Sequence, residues 1–301
     1  MSTSNTNPQS APTDQTPWTI KRLLDWTTDF FKSKELESAR LSAEILLAEA
    51  MNCPRIQLYT QFDLVPQELV LANYRDWVKR HAKGEPVAYL VGHKEFFSLK
   101  FNVDSNVLIP RPETEHVILA AIEASKNIEA SPLRIVDIGT GSGCIAVTLA
   151  KHIENSEIVG IDISSDAIHV AQSNVELHDT QNVSLIQSDL FENLPPEFEP
   201  NLIVSNPPYI GRDEIETVDT SVKDFEPNVA LFSGDDGMDV IRRLISESLT
   251  RLSTGGYLIF ETSPIIFDEC LKLVLDSAGF EKPQTIKDYS NHKRVVCATR
   301  K

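Results

Sequence analysis

From residue 133 to the C-terminus, short apolar runs alternate with stretches of helical periodicity, and this alternation constrains the fold more tightly than any other feature of the chain. The runs fall at 134–138, 158–163, 183–187, 202–205 and 256–261 and are dominated by Ile, Leu and Val. Helical stretches follow at 144–152, 165–177, 237–252 and 264–277, and a closing pair of strands is expected at 284–287 and 294–298. Strands separated by connections long enough to hold a helix pair in parallel, because a parallel partner is reached only by a crossover. The expected fold class is α/β, a mostly parallel sheet with helices on both faces. In such sheets ligands bind beyond the carboxyl ends of the central strands, where strand order reverses. The residues that follow each run are therefore the ones to read for chemistry.

After the first run come Gly139, Thr140, Gly141, Ser142 and Gly143, opening the next helix. Glycines let the backbone turn sharply and leave its surface bare to a ligand. The G-x-G-x-G spacing differs from the G-x-G-x-x-G of dinucleotide sites and favours a smaller nucleoside ligand. A tight turn without a ligand is the alternative. The second run reaches Asp162, about 20 residues past the glycines, where a carboxylate can accept from both ribose hydroxyls and repel a 2′-phosphate. With Ser164 and Ser165 following, the same aspartate also suits a helix N-cap. Asp189, after the third run, suits acceptance from an adenine amine, with Leu190 or Phe191 against the ring face; an ordinary capping role suits it equally.

The fourth run, Leu202-Ile203-Val204-Ser205, leads into Asn206-Pro207-Pro208-Tyr209. A planar NH2 group is a poor nucleophile because its lone pair is delocalised. Two acceptors on its two N–H bonds fix it and concentrate electron density on nitrogen. Asn206 offers a side-chain carbonyl, and Pro207 a backbone carbonyl whose direction follows from proline's locked φ. Asn206, preceding a proline, is held in extended geometry in line with its strand. Tyr209 can stack on the planar group. Transfer to such a nitrogen requires in-line approach at about 3–3.5 Å. No committed base is visible, and water suffices for the departing proton.

The rest of the 301-residue chain divides around this region. Residues 1–16 carry one charge, Asp14, and no aromatic, and are expected to be a disordered tail; they lack the features of a signal peptide. Residues 17–85 read as a small helical bundle, with Ile20, Leu23, Leu24, Phe30 and Phe31, then Ala39, Ala43, Leu46, Leu47 and Ala50, then Leu69, Val70, Tyr74 and Val78 at helical spacing. They carry no catalytic constellation and read as an interaction module. Residues 86–112 approach period two around Phe96, Phe97, Leu99, Phe101 and Val103, and read as a β-hairpin linker to a catalytic domain over 113–301. Cys53, Cys144, Cys270 and Cys297 are scattered without metal spacing, so free thiols in a reducing cytosol are expected and a bound metal is not. Residues 17–100 hold 12 Lys/Arg against 11 Asp/Glu, whereas residues 101–301 hold 16 against 32. An acidic major domain repels the phosphates of bare nucleic acid and favours a protein partner. No apolar run is long enough to span a membrane.

In this order the four motifs resemble those of the class I S-adenosylmethionine-dependent methyltransferases, with their Rossmann-like sheet. Further segments sharpen the resemblance: Pro86-Val87-Ala88-Tyr89-Leu90-Val91-Gly92 with Glu95-Phe96-Phe97, then Val107-Leu108-Ile109-Pro110-Arg111-Pro112-Glu113-Thr114-Glu115, Phe225-Glu226-Pro227 with Ala230-Leu231, and Gly234-Asp235-Asp236-Gly237. These are similar to the release factor N5-glutamine methyltransferases, the PrmC/HemK family, over about residues 17–300. The chain departs from that pattern at Leu190, where a larger aromatic is usual, and at Glu261-Thr262-Ser263-Pro264. The resemblance implies S-adenosyl-L-methionine as co-substrate, held by Gly139, Thr140, Gly141, Ser142, Gly143, Asp162, Asp189 and Leu190 with Asn206 beside it, and no metal. It implies a release factor as protein partner. The glutamine of that factor's Gly-Gly-Gln loop would be gripped at Asn206, Pro207, Pro208 and Tyr209, and the factor docked by the helical module. A cytoplasmic monomer without direct nucleic-acid or membrane contact is expected. Three other readings stand beside it. Amino methylation of nucleic acid, at adenine N6 or a ribosomal guanine N2, would use the same turn but lacks a visible basic track. A non-catalytic adaptor would need no acceptor turn, and a nicotinamide dehydrogenase would need a different glycine spacing.

Overall fold

The computed structural model of the chain describes residues 17–281 and 283–301; the expected tail over 1–16 lies outside the described residues. The chain forms two compact units that meet between Leu90 and Val91. The first contains helices α1 (Ile20–Ser33), α2 (Ala39–Ala50), α3 (Arg55–Thr60) and α4 (Glu68–His81), with the short α5 (Val87–Val91) across the boundary. Thr19 starts α1 by accepting a hydrogen bond from the Arg22 amide at 3.3 Å. Ile20, Leu23, Leu24, Thr27 and Phe31 then bury one face of α1 against Ala43, Leu46 and Leu47 of α2. On α4 the inward stripe is Leu71, Tyr74 and Val78, while Leu69 stands 74% exposed in the first turn. The spacing 71-74-78 keeps one side of the helix, and Leu69 projects off it. Glu44 is buried because it is paired: the Arg40 Nε donates to it at 2.7 Å and the Tyr59 hydroxyl of α3 donates to the same carboxylate. A groove between α1 and α4 is lined by Trp18, Trp26, Phe30, Arg75 and Lys79.

The second unit opens with a hairpin, β1 (His93–Phe96) and β2 (Leu99–Asn102). The strands of the main sheet are β3 (Leu133–Ile138), β4 (Ser156–Asp162), β5 (Val183–Gln187), β6 (Leu202–Ser205), β7 (Tyr257–Glu261), β8 (Gln284–Lys287) and β9 (Lys293–Thr299). Helices α6 (Glu115–Ser125), α7 (Cys144–His152), α8 (Ser165–Leu177), α9 (Thr220–Phe225), α10 (Asn228–Leu231), α11 (Asp239–Arg251) and α12 (Phe267–Asp276) connect or flank them. Sheet order is β5-β4-β3-β6-β7-β9-β8, parallel from β5 to β7, with β9 antiparallel to both its neighbours. Alternate residues of one strand face opposite cores. Val136, Ile203 and Phe260 meet Ile241 and Leu244 of α11 and Phe267 of α12. Ile135, Val204 and Ile259 meet Val117 and Ile118 of α6 and Ile145 of α7.

The hairpin is narrower than the linker expected over 86–112, and it is built into the second unit. Phe96 and Phe101 join the core beneath α6 and α7, and Asn174 of α8 ties β2 down. Order reverses between β3 and β6: the chain leaves β3 for β4 on one side and returns to β6 on the other. Parallel strands put their carboxyl ends on one edge of the sheet, so the segments after β3, β4, β5 and β6 converge there.

Candidate active site

A single cavity is lined by residues from all four of those segments, among them Gly139, Gly141, Asp162, Asp189, Leu190, Asn206, Pro207 and Pro208. After β3, Gly139 and Gly141 take φ of +70° and +54°, a conformation L side chains rarely adopt. A Cβ built on either would meet nothing closer than 3.9 Å, so the bare backbone of both faces open space. Thr140 anchors the loop between strands. Its amide donates to the Ile161 carbonyl at 2.9 Å and its hydroxyl to Asp137 Oδ2 at 2.6 Å. Asp137 lies wholly under the loop; burial pushes its carboxyl up to about 7, opposed by the bonds from Thr140 and the Ala146 amide.

Asp162 clasps this loop, with Oδ2 accepting from the Gly141 amide and Oδ1 from the Ser164 amide, both at 2.9 Å. The N-cap of α8 is Ser164, whose hydroxyl accepts from the Ala167 amide at 3.2 Å. The capping alternative for Asp162 is therefore taken by its neighbour. Burial raises the Asp162 carboxyl above its ordinary range, and the backbone donors pull it back. Each carboxylate oxygen keeps a further lone pair for a ligand hydroxyl. Ser188, Asp189 and Leu190 follow β5. Leu190 has φ +48° and is buried, at once on the cavity wall and in the core, whereas Phe191 lies in the core alone. Arg243 of α11 also lines the cavity and donates through Nη1 to both oxygens of Asp189 at 3.0 Å.

On the acceptor side, Ser205 anchors the end of β6 by donating to the Ile138 carbonyl at 2.7 Å. Asn206 Nδ2 donates to the Thr114 hydroxyl at 3.0 Å, which leaves Oδ1 on the other arm of the amide. Asn206, Pro207 and Pro208 form the wall. Tyr209, expected to stack on the acceptor group, packs partly buried against the core cluster, and its hydroxyl donates to Glu261 Oε1 at 3.3 Å. Burial pushes that phenol well above its usual value, and the Glu261 charge adds to the effect. Arg111, also on the cavity wall, pairs with the buried Glu226, which accepts from the Ile109 amide at 3.3 Å. That contact binds the proline-rich segment before α6 to the loop after α9, and explains why both carry distinctive sequence.

Four contributors escaped the sequence reading: Thr114, Asn174, Arg243 and Glu261. Glu261 had a signal, since it is a carboxylate closing a buried strand just as Asp162 does. Arg243 and Asn174 had none, because each sits on an amphipathic helix among residues of the same kind.

A parallel sheet of this order, with a glycine loop after its first strand and an acceptor turn after its fourth, defines a Rossmann-like class I methyltransferase. Residues 22–92 match the family described as PrmC N-terminal domain, and residues 118–225 the methyltransferase small domain. The chain is 47% identical over 287 residues to the release factor glutamine methyltransferase of Rhodopirellula baltica, covering 94% of this chain and 97% of that one. It is 42% identical over 281 residues to that of Geobacter sulfurreducens, covering 93% and 96%. Among solved structures, a methyltransferase from Pyrococcus furiosus is similar with a TM-score of 0.50 at 16% identity, covering 76% of this chain and 98% of that one, a likeness of fold. The chain belongs to the release factor glutamine methyltransferase family. Among the described residues, no helix is long and apolar enough to cross a membrane.

Proposed function

We propose that this chain transfers a methyl group from S-adenosyl-L-methionine to the side-chain amide nitrogen, N5, of the glutamine in the Gly-Gly-Gln loop of peptide chain release factors. The observation that carries this is the shared cavity, with the glycine loop and Asp162 on one wall and the Asn206-Pro207-Pro208 acceptors on another. Family membership at 47% identity over nearly the whole chain supports the choice of substrate. The donor fits the residues present: the open faces of Gly139 and Gly141 admit it, Asp162 has lone pairs for ribose hydroxyls, and Leu190 offers an apolar surface. Asp189 takes the adenine amine in this reading, sharing its carboxylate with Arg243. Bound there, the donor supplies an electrophilic methyl group.

The protein's own part is placement. Asn206 Oδ1 and the Pro207 carbonyl accept from the two N–H bonds of the glutamine amide, fixing its plane and its nitrogen. Aligned acceptors of this kind need no reorganisation during transfer. Tyr209 contributes by holding the turn to Glu261. The helical module over 17–85 docks the release factor, its groove between Trp26 and Lys79 presenting aromatic surface with basic ends. Labelled donor incubated with a purified release factor, wild-type and with the loop glutamine replaced, tests the proposal. Labelling of the wild-type factor alone is expected. Equal labelling of both refutes it, and labelling of bare nucleic acid would favour the amino methylation of bases instead.

A further inference from the structure

Both ends of the acceptor turn are tied to one buried carboxylate. Thr114, at the end of the 3-10 turn Pro112–Thr114, donates its hydroxyl to Glu261 Oε2 at 2.7 Å and receives Asn206 Nδ2 at 3.0 Å. The Tyr209 hydroxyl donates to Glu261 Oε1 at 3.3 Å. Thr114 and Glu261 are 2% and 1% exposed, so water does not compete for these bonds.

Burial raises the Glu261 carboxyl, while the bonds from Thr114 and Tyr209 and the nearby Arg294 charge favour its ionised form. With Glu261 ionised, the proton count along this chain has one solution. An ionised carboxylate only accepts, and a hydroxyl has one hydrogen to give. Glu261 therefore takes the Thr114 hydrogen, and the Thr114 oxygen is left as an acceptor. The arm of the Asn206 amide that faces it must then be NH2, and the arm offered to the cavity must be the carbonyl. With the amide reversed, an NH2 would face the cavity, and an incoming NH2 group would meet a donor in place of an acceptor. Nothing in Asn206 itself selects between the two orientations, which are nearly identical in shape.

We propose that Glu261 is a positioning residue: through Thr114 it fixes the Asn206 amide with its carbonyl toward the cavity, and so makes the turn selective for an NH2 acceptor. The orientation is decided in the free protein. Only its catalytic consequence rests on the function proposed above. Glutamine at 261 presents either an oxygen or an NH2 to Thr114, so that both orientations of Asn206 become available. Valine at 114 removes the relay altogether, whereas serine keeps it.

The test uses the full chain and two readouts. The first is the side-chain 15N–1H resonance pair of Asn206 in the ligand-free protein, assigned by its loss in Asn206→Asp. Protection from solvent exchange is expected in wild-type and Thr114→Ser, and its loss in Thr114→Val. Glu261→Gln should show two sets of signals or an averaged, less protected one. The second is methylation of the release factor. Thr114→Val is expected to lower kcat about 10- to 100-fold, the range for leaving one buried donor unpaired. Glu261→Gln should fall between, at roughly two- to tenfold, and Thr114→Ser should stay within about threefold of wild-type. KM for the release factor and donor affinity should hold within about twofold throughout, since a positioning role acts on the transfer step. Wild-type protection and kcat in both Thr114→Val and Glu261→Gln would overturn the proposal. So would a Thr114→Ser defect as deep as that of Thr114→Val, or an effect confined to KM. A wild-type protein that labels no release factor would refute the proposed function, and the Asn206 resonance would still decide this inference. If Thr114→Val does not fold, Glu261→Gln supplies the decision alone.

Discussion

Asn174 offers the sharpest test of how the second unit holds its glycine loop. It is wholly buried on α8, and its Nδ2 donates to the Ser142 carbonyl at 2.8 Å and to the Asn102 carbonyl at 2.9 Å. Its Oδ1 accepts from the Asn102 amide at 2.7 Å. One side chain thus ties the loop after β3 to the hairpin strand β2. Asn174→Ala leaves three backbone groups without this partner, the carbonyl of buried Ser142 and the amide and carbonyl of half-buried Asn102, at about 1 kcal/mol each with water reaching the space, or about 3 kcal/mol in all. In a unit of this size that corresponds to a melting temperature lower by roughly 6–12 °C. Asn174→Asp keeps the acceptor for the Asn102 amide but sets a carboxylate against two carbonyl oxygens in a dry site. A buried, unpaired charge costs several kcal/mol, so the aspartate variant should melt below the alanine one despite its closer shape. The sign with pH follows. The new carboxyl has a folded pKa raised above its unfolded value of about 3.9, so the penalty is absent in acid and grows as pH rises. Melting followed by circular dichroism from pH 4.5 to 8 should show the two variants diverging upward in pH, with donor affinity, read by calorimetry, weakened in both. An aspartate variant as stable as the alanine variant at pH 8, or an alanine variant within about 2 °C of wild-type, would refute the reasoning.

Three further outcomes are expected. Asn206→Ala removes one of the two acceptors and should lower the transfer rate about 10²- to 10³-fold, the scale for one preorganised partner, while donor affinity measured by calorimetry changes little. Arg243→Ala should leave donor affinity within about fivefold, because a half-exposed pair is worth only about 0.2–1 kcal/mol, and Asp189→Ala should weaken it more; the reverse order would remove Asp189 from the donor site. Asp137 has a folded pKa raised to about 7 from 3.8, so the folded chain binds more protons than the unfolded one between those values. Its contribution to stability therefore falls as pH rises from about 4 to 7 and is flat above. Melting curves of Asp137→Asn should lack that slope, and an unchanged difference from wild-type across the range would contradict the assignment.

Much of this molecule is legible along the chain, and the reasons are local. The runs at 183–187, 202–205 and 284–287 became β5, β6 and β8 with the bounds expected of them, and β6 shows the reason most plainly, since a buried parallel strand is a continuous apolar segment ended by polar residues. Helices α7 and α8 match as well, each starting where a loop or serine cap allows. The hairpin was harder. Period two identifies strands, but nothing local states that Phe96 and Phe101 bury against α6 and α7 rather than forming a free linker. Leu69 was misplaced for a related reason, since a helix with apolar residues at 69, 70, 71, 74 and 78 has more than one plausible inward stripe, and packing selects one.

The sequence by itself determined the class of fold, the glycine loop, Asp162 and the acceptor turn, because each depends on residues adjacent in the chain and on backbone rules that act within a few bonds. The tertiary structure alone decided the rest. Thr114 lies 92 residues from the Asn206 it orients, and Glu261 lies 52 from the Tyr209 it anchors. Arg243 lies 54 from the aspartate it shares, and Asn174 reaches both the loop and the hairpin. Hydrogen bonds are made by atoms about 3 Å apart in space, whatever their separation in sequence. A sequence therefore shows which groups must find partners, and only the packed sheet, by bringing the ends of its strands to one edge, shows which partners they find.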